Sequence, residues 1–397
     1  MGIHSARHLL TAAFALATEA AWFVQTGVAG PVTPAPERPA TLNEQYVRSD
    51  VAVLAKWTAA DVPGDGSQGN TSYQVVQVSR GAAIGIEKGS TIRTRPYRPR
   101  IAGQLALILG TRSRGGTIEW GLPREVNSEF FNYIVRAPAR DAEPGERLLY
   151  YLPYLEHPNP AIAADCFLEL SEFSINQFAA HAADLPRDAL RKAIVNPDLN
   201  PARRSLFGLM LGLCGDSTDS GLLIDQIAEP AQELRIGLEG VIAGYVMLTG
   251  ETGLEDIERL KLHNKEADGS EVYSALMAVR YLRNSGLSEI SPERLQKALG
   301  TLIERPEFTD TVIFDLIRWK DWSIQARLMK LYGDGEYNVR SIKRAIIQYM
   351  IASTRDVPAV SEGKPPVHAA EGIRNLDELR RRDPQLVDQV ERFFSRK

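Results

Sequence analysis

A small β domain followed by an all-α stack of helical hairpins is the fold class that this sequence predicts. Three observations carry the prediction. Short β-rich runs separated by glycine turns occupy about residues 47–125. The texture turns helical from about residue 145. In that helical part, candidate helix ends recur at nearly constant spacing. The chain of 397 residues is 44% hydrophobic and 24% charged, ordinary for globular proteins and long enough for two or three domains.

The elements follow in order. Arg7, the apolar run Leu9 to Leu16 and the small-residue sites Ala15-Leu16-Ala17 or Gly27-Val28-Ala29 read as an export signal over 1–29. Glu19 interrupts the apolar run, and a membrane span needs about 20 apolar residues. The mature chain is therefore expected to be soluble, without a membrane span, and exported to the periplasm or extracellular space. Four prolines within Pro31–Pro39 predict an extended linker over 30–44. A β domain over 45–136 is built from Asp50–Trp57, Thr71–Ser79, Thr91–Arg95, Leu105–Leu109 and Thr117–Trp120.

The helical domain spans 145–397. Helix ends are expected near Ser174, Gly215, Gly250, Gly286, Lys320 and Thr354; after a first gap of 41 the spacings are 35, 36, 34 and 34. Asn159-Pro160, Asn200-Pro201 and Ser291-Pro292 each set a capping side chain before a proline at the first helical position. A helical hairpin cannot bury its apolar face alone, whereas stacked neighbours can. Helices near 367–381 and 384–395 are expected to cap the stack.

The strand rhythm resembles a small OB-type β barrel. The helical part resembles HEAT/armadillo-like repeat proteins and implies an α-helical HEAT-like solenoid. The whole arrangement, with Arg318-Trp-Lys-Asp-Trp-Ser323 and Leu328-Met-Lys-Leu-Tyr-Gly333, resembles exported bacterial proteins of uncharacterised function. The resemblance implies fold and localisation and supplies no mechanism.

Chemistry-bearing patterns are sparse. The formal net charge of −4 gives no global case for nucleic-acid binding. His157, His181, His263 and His368 are not paired at ligand spacing, so no metal or cofactor is expected. Gly215-Asp-Ser-Thr-Asp-Ser-Gly221 lacks a nucleophile elbow; Asp216, Ser217 or Asp219 is expected to cap a helix there. Asp225, Glu229, Glu255 and Glu258 read as solvated faces. Cys166 and Cys214 are expected as two buried thiols, since their helical positions set them too far apart to bond. Trp319 and Trp322 are expected to pack in the core on either side of a turn.

One patch rises above this background. Lys88, Arg93, Arg95, Arg98, Arg100, Arg112 and Arg114 occur without an intervening acid, and Tyr97 lies among them. Guanidiniums suit phosphate, sulfate and carboxylate, and an aromatic beside them can stack on a base or sugar. The simpler reading is that these charges protect exposed strands from edge pairing. The leading functional expectation is a non-enzymatic exported scaffold binding a partner protein through its repeats. The alternative is a polyanion- or glycan-binding module using the arginine-rich part of the β domain.

Overall fold

The computed structural model describes residues 39–61, 69–99, 102–229, 235–357 and 365–395. The expected export signal and most of the linker lie outside them. The chain divides into two compact units, one up to Ala193 and one from Ile194.

In the first unit the expected linker gives way to a helix, α1 (Leu42–Arg48), before residue 44. Thr41 and Glu44 form a reciprocal capping box at its start, satisfying two otherwise free N–H groups. The sheet follows: β1 (Val51–Asp61), β2 (Asn70–Arg80), β3 (Thr91–Thr94), β4 (Leu105–Arg112), β5 (Ile118–Trp120) and β6 (Arg124–Glu125). Its order is β3-β2-β1-β4-β5, with β6 also paired to β4, and the pairings are antiparallel.

The sheet is open, which corrects the expected OB-like barrel: among the described residues no pairing joins β3 to β5. Closure would need two edge strands long enough to pair. β3 has four residues and runs into Pro96, which has no N–H to donate. β5 has three and runs into Gly121 and, two residues on, Pro123. The sheet nevertheless has a real core. Val51, Val53, Ala55, Tyr73, Val75, Ile92, Ala106 and Ile108 form one cluster, against which Trp57, Ile118 and Trp120 pack. Ala52, Leu54 and Leu107 on the other face are also buried. β1 therefore reads as a continuous apolar run, as strands covered on both faces do.

Among the described residues sixteen α-helices follow the sheet. The first unit holds α2 (Ser128–Val135), α3 (Pro144–Tyr151), α4 (Pro160–Leu170) and α5 (Ile175–Ala180); α6 (Arg187–Ile194) straddles the boundary. Ser174, expected near a helix end, is instead the N-cap of α5.

The second unit alternates longer and shorter helices. The longer set is α7 (Pro201–Cys214), α9 (Leu238–Thr249), α11 (Gly269–Ser285), α13 (Pro306–Trp319) and α15 (Arg340–Arg355). Between and after them come α8 (Ser217–Ala228), α10 (Glu251–Ile257), α12 (Pro292–Gly300), α14 (Gln325–Leu331) and α16 (Val367–Arg382), then α17 (Pro384–Ser395). α7 packs on α9, α9 on α11 and α13 on α15. The long helices end at the expected signals. Gly286 and Lys320 take left-handed conformations at φ 67° and 58°. Gly215 does not (φ −81°); a side chain there would instead strike the Leu211 carbonyl at 2.5 Å. The capping expectations at Asn159, Asn200, Asp216 and Ser291 each appear as hydrogen bonds to the following turn.

From Arg235 onward hydrogen bonds and ion pairs tie successive hairpins together at one repeat length. Arg235 reaches Glu271 across 36 residues, Arg280 reaches Asp315 across 35, and Arg294 reaches Glu258 across 36. Trp319 bonds Asn284 across 35, and Lys320 bonds Asp356 across 36. Glu258 is thus mostly buried in a forked pair with Arg294, and not on a solvated face as expected. A π-helical turn, Glu258–Leu262, follows α10. It brings Lys261 to Glu271 at 2.7 Å, with both side chains 6% exposed.

The closest backbone approach described in this unit lies between α7 and α9. A methyl on Gly244 would sit 2.0 Å from the Gly208 carbonyl oxygen, and one on Gly212 would sit 2.5 Å from the Gly244 Cα. Gly244→Ala should therefore destabilise the second unit by about 3 kcal/mol, the upper range for an overpacked core. Gly221→Ala, in α8 with open space around it, should stabilise by roughly 0.5–1 kcal/mol through lost unfolded-state entropy. Urea unfolding of both variants measures the contrast; equal midpoints would remove the close contact as a constraint.

Candidate functional site

The basic run does not collect on one surface. β3 exposes Arg93, whose guanidinium pairs with Asp61 at 3.0 Å; with both side chains well exposed the pair contributes little. Arg95 follows in the open, and Tyr97 is half-buried. Arg98 is a structural fastener. Its N–H donates to Thr71 Oγ1 at 2.9 Å, its carbonyl accepts from Trp57 Nε1, and its guanidinium donates to the Pro123 carbonyl at 3.1 Å. Arg100 lies outside the described residues. Lys88 is exposed in the β2–β3 turn.

Arg112 and Arg114 sit elsewhere. Arg112 ends β4, where its backbone N–H donates to Asp50 at 2.6 Å, and Arg114 is exposed in the β4–β5 turn. Register gives the separation. Arg93 stands across from Ser72, itself across from Ala59, whereas Gly110 pairs with Val51. Eight residues of strand at about 3.3 Å each put the two groups roughly 25 Å apart along the sheet.

Beside Arg98 the sheet carries a small, shallow depression lined by Trp57, Tyr73, Gln104, Leu105, Ala106, Pro123 and Glu125. The Gln104 amide donates to the Glu125 carboxylate at its rim. Trp57 and Tyr73 are directly paired across β1 and β2. Sequence reading missed this pair, because alternation names the residues of a face but only register says which become neighbours. The depression has room for about one water molecule, far short of a usual ligand pocket of roughly 300 Å³ or more.

Carboxylates converge in one other place in the first unit. Asp165 and Glu169 are four apart on α4 and both are buried. Asp165 accepts from the Leu42 N–H at 2.6 Å and from the Tyr133 hydroxyl at 2.8 Å, so it joins α1 to α2 and α4. Glu169 pairs with Arg147 at 2.7 Å, and Glu172 with Arg140 at 3.0 Å. Burial pushes the Asp165 carboxyl up to about 6, against the opposing hydrogen bonds from Leu42 and Tyr133. Burial likewise drives the Tyr133 and Tyr151 phenols up. These groups are sealed in the interior, and what the arrangement does is hold helices together.

Among the described residues no group of three or more His, Cys, Asp or Glu could hold a metal ion. His157 contacts Glu129 at 3.2 Å, and its other ring nitrogen accepts from the Asn159 N–H. Neither cysteine is in a disulfide. Cys166 is buried and its thiol donates to the Tyr151 carbonyl, whereas Cys214, expected buried, is only partly so. The left-handed Lys320 separates the two tryptophans as expected, but neither packs in the core: both are only half-buried. Trp322 bonds Asp356 at 2.8 Å and packs edge-on against Tyr349, and Trp319 lies beneath the Arg283 guanidinium. No helix among the described residues is long and apolar enough to cross a membrane.

Comparisons with protein-family models, curated proteins and solved structures find no match to this chain. The site must therefore be read from its own chemistry.

The raised Asp165 pKa fixes a pH dependence. A carboxyl whose folded pKa lies above its unfolded value of 3.8 binds protons more readily when folded. Its contribution is most favourable below about pH 4 and is lost as pH rises through about 6. Asp165→Asn keeps an acceptor for Leu42 and removes the charge. The variant should be more stable than the parent at pH 7 by up to about 3 kcal/mol, and the advantage should fade towards pH 4. Unfolding midpoints across pH 4–7 measure this; a difference that does not vary with pH would refute the assignment.

Proposed function

We propose that this chain is an exported, non-enzymatic scaffold that binds a partner protein through a HEAT-like stack of helical hairpins. The observation that carries the reading is the recurrence of inter-hairpin bonds at 34–36 residues, from Arg235–Glu271 to Trp322–Asp356. Repeated contacts at one period are what stacked repeats make, and such stacks present extended surfaces to proteins. The buried carboxylates support the same reading. Asp165, Glu271 and Asp315 each bond groups on neighbouring elements, which is structural work. Export rests on the N-terminal pattern of Arg7 and Leu9–Leu16.

A second reading, a glycan- or anion-binding β domain, is favoured by the Trp57–Tyr73 depression beside Arg98. The dispersal of the basic residues weighs against a polyanion, and the depression is small for a sugar.

Photo-crosslinking in the native cell envelope separates the two. Benzoylphenylalanine would replace Glu255 or Arg344 on the helical stack, or Arg95 beside β3, all exposed. A discrete protein captured from the stack positions, and then bound by the purified full chain, is the expected result. Capture from the Arg95 position alone would overturn the scaffold reading. So would heparin binding that weakens steeply with salt and is lost in Arg93→Ser with Arg95→Ser.

A further inference from the structure

The two ends of α1 are held differently. Its C-terminal end runs through Ser49 and Asp50 straight into β1. There the Tyr46 and Val47 carbonyls accept from the Arg80 guanidinium, and the Tyr46 hydroxyl bonds Ser79 at 2.7 Å. The N-terminal end rests on α4 and on the α2–α3 loop. The Leu42 N–H donates to Asp165 at 2.6 Å, the Asn43 amide donates to the Pro138 carbonyl at 3.3 Å, and Glu44 pairs with Arg140 at 3.0 Å. Little apolar burial supports these bonds. Leu42 is the one buried apolar side chain of the helix, and the buried Asn43 Oδ1 has no hydrogen-bond partner. An element with so few buried apolar contacts opens locally at low cost.

Among these fastenings the Asp165 bond is sensitive to protons. The side chain is buried, its two oxygens accept from the Leu42 N–H and the Tyr133 hydroxyl, and neither touches a cation. The titratable and charged groups around it are Tyr133 of α2, Tyr151 of α3, Cys166 and Glu169 on its own helix, and Arg124 of β6 beyond ion-pair distance. Glu169 is already paired with Arg147, and Glu44 of α1 with Arg140. A carboxyl buried without a counter-ion favours its neutral form, and lifting α1 gives it access to water.

We propose that α1 is a strap, fastened at its N-terminal end by the protonated Asp165, which lifts about Ser49 as that carboxyl ionises. Lifting uncovers part of β4, against which α1 lies. The sign follows from burial. The carboxyl titrates at about 6 when buried, above its ordinary 3.8, so the fastening is full below about pH 4 and is lost as pH rises through 6. This inference goes beyond the scaffold reading and does not depend on it. It also differs from a change in global stability, because α2, α4 and the sheet stay folded while α1 opens.

Hydrogen exchange of the full chain, corrected for the intrinsic pH dependence of the amides, is the test. The amides of residues 42–48 should lose protection about tenfold between pH 5 and pH 7. At both pH values they should exchange faster than those of Val51–Ala55 in β1 and be insensitive to low urea, the mark of a local opening. Asp165→Asn should flatten the pH dependence. Tyr133→Phe removes a donor to the carboxylate and should move the loss of protection to higher pH. The proposal is overturned if protection of α1 in the parent is flat over this range, or if Asp165→Asn keeps the parent's slope. It is equally overturned if α1 and β1 exchange together with one urea dependence, which is global unfolding. Should Asp165→Asn not fold, the Tyr133→Phe midpoint decides alone, and an unmoved midpoint removes Asp165 as the fastener.

Discussion

Four glycines set the geometry from which the second unit is built. Gly208 and Gly212 on α7 meet Gly240 and Gly244 on α9 with backbone against backbone. Helices normally pack 8–10 Å apart because side chains stand between them; here that layer is missing. The close approach seals α9, whose residues from Val241 to Val246 are all buried. α9 in turn is packed by α7, α8, α10 and α11. Interiors this dense do not yield by small adjustments, so the first hairpin contact fixes the surface on which the next is laid. Further along the unit the same job passes from glycines to ion pairs. Arg280–Asp315 and Arg294–Glu258 join successive hairpins through long side chains.

The first unit solves a different problem. An open six-stranded sheet has two edges and needs cover. The first half of β1, Val51 to Ala55, is buried on both faces, and α1 lies against β4. The buried Asp165 holds the start of that helix, bonding the Leu42 N–H and the Tyr133 hydroxyl at once. Burying an ionised carboxylate is unfavourable, and two short hydrogen bonds offset part of the cost. The acid is therefore better read as a tie between elements than as a reactive group. The surrounding pairs, Arg147–Glu169 and Arg140–Glu172, extend the tie along α4.

This division bears on function. Buried acids are committed to structure in both units, while the unbalanced charge that remains lies at surfaces. On the sheet it is dispersed, with Arg93 and Arg112 at opposite ends of β1.

Local signals in the sequence determined the order of β then α, most strand positions, and the caps and stops of the long helices. Asn200 before Pro201, Asp216 after Gly215 and Gly286 after Ser285 each act within a turn of chain, so short patterns suffice to see them. Thr41-x-x-Glu44 carried the same kind of signal for α1 and was legible, though masked by the prolines before it. Tertiary structure alone decided the rest. Whether the sheet closes depends on the lengths of two edges far apart in sequence. Whether seven basic residues converge depends on register, which one residue of slip would invert. Asp165 meets Leu42 across 123 residues, and nothing in the neighbourhood of either residue announces the other.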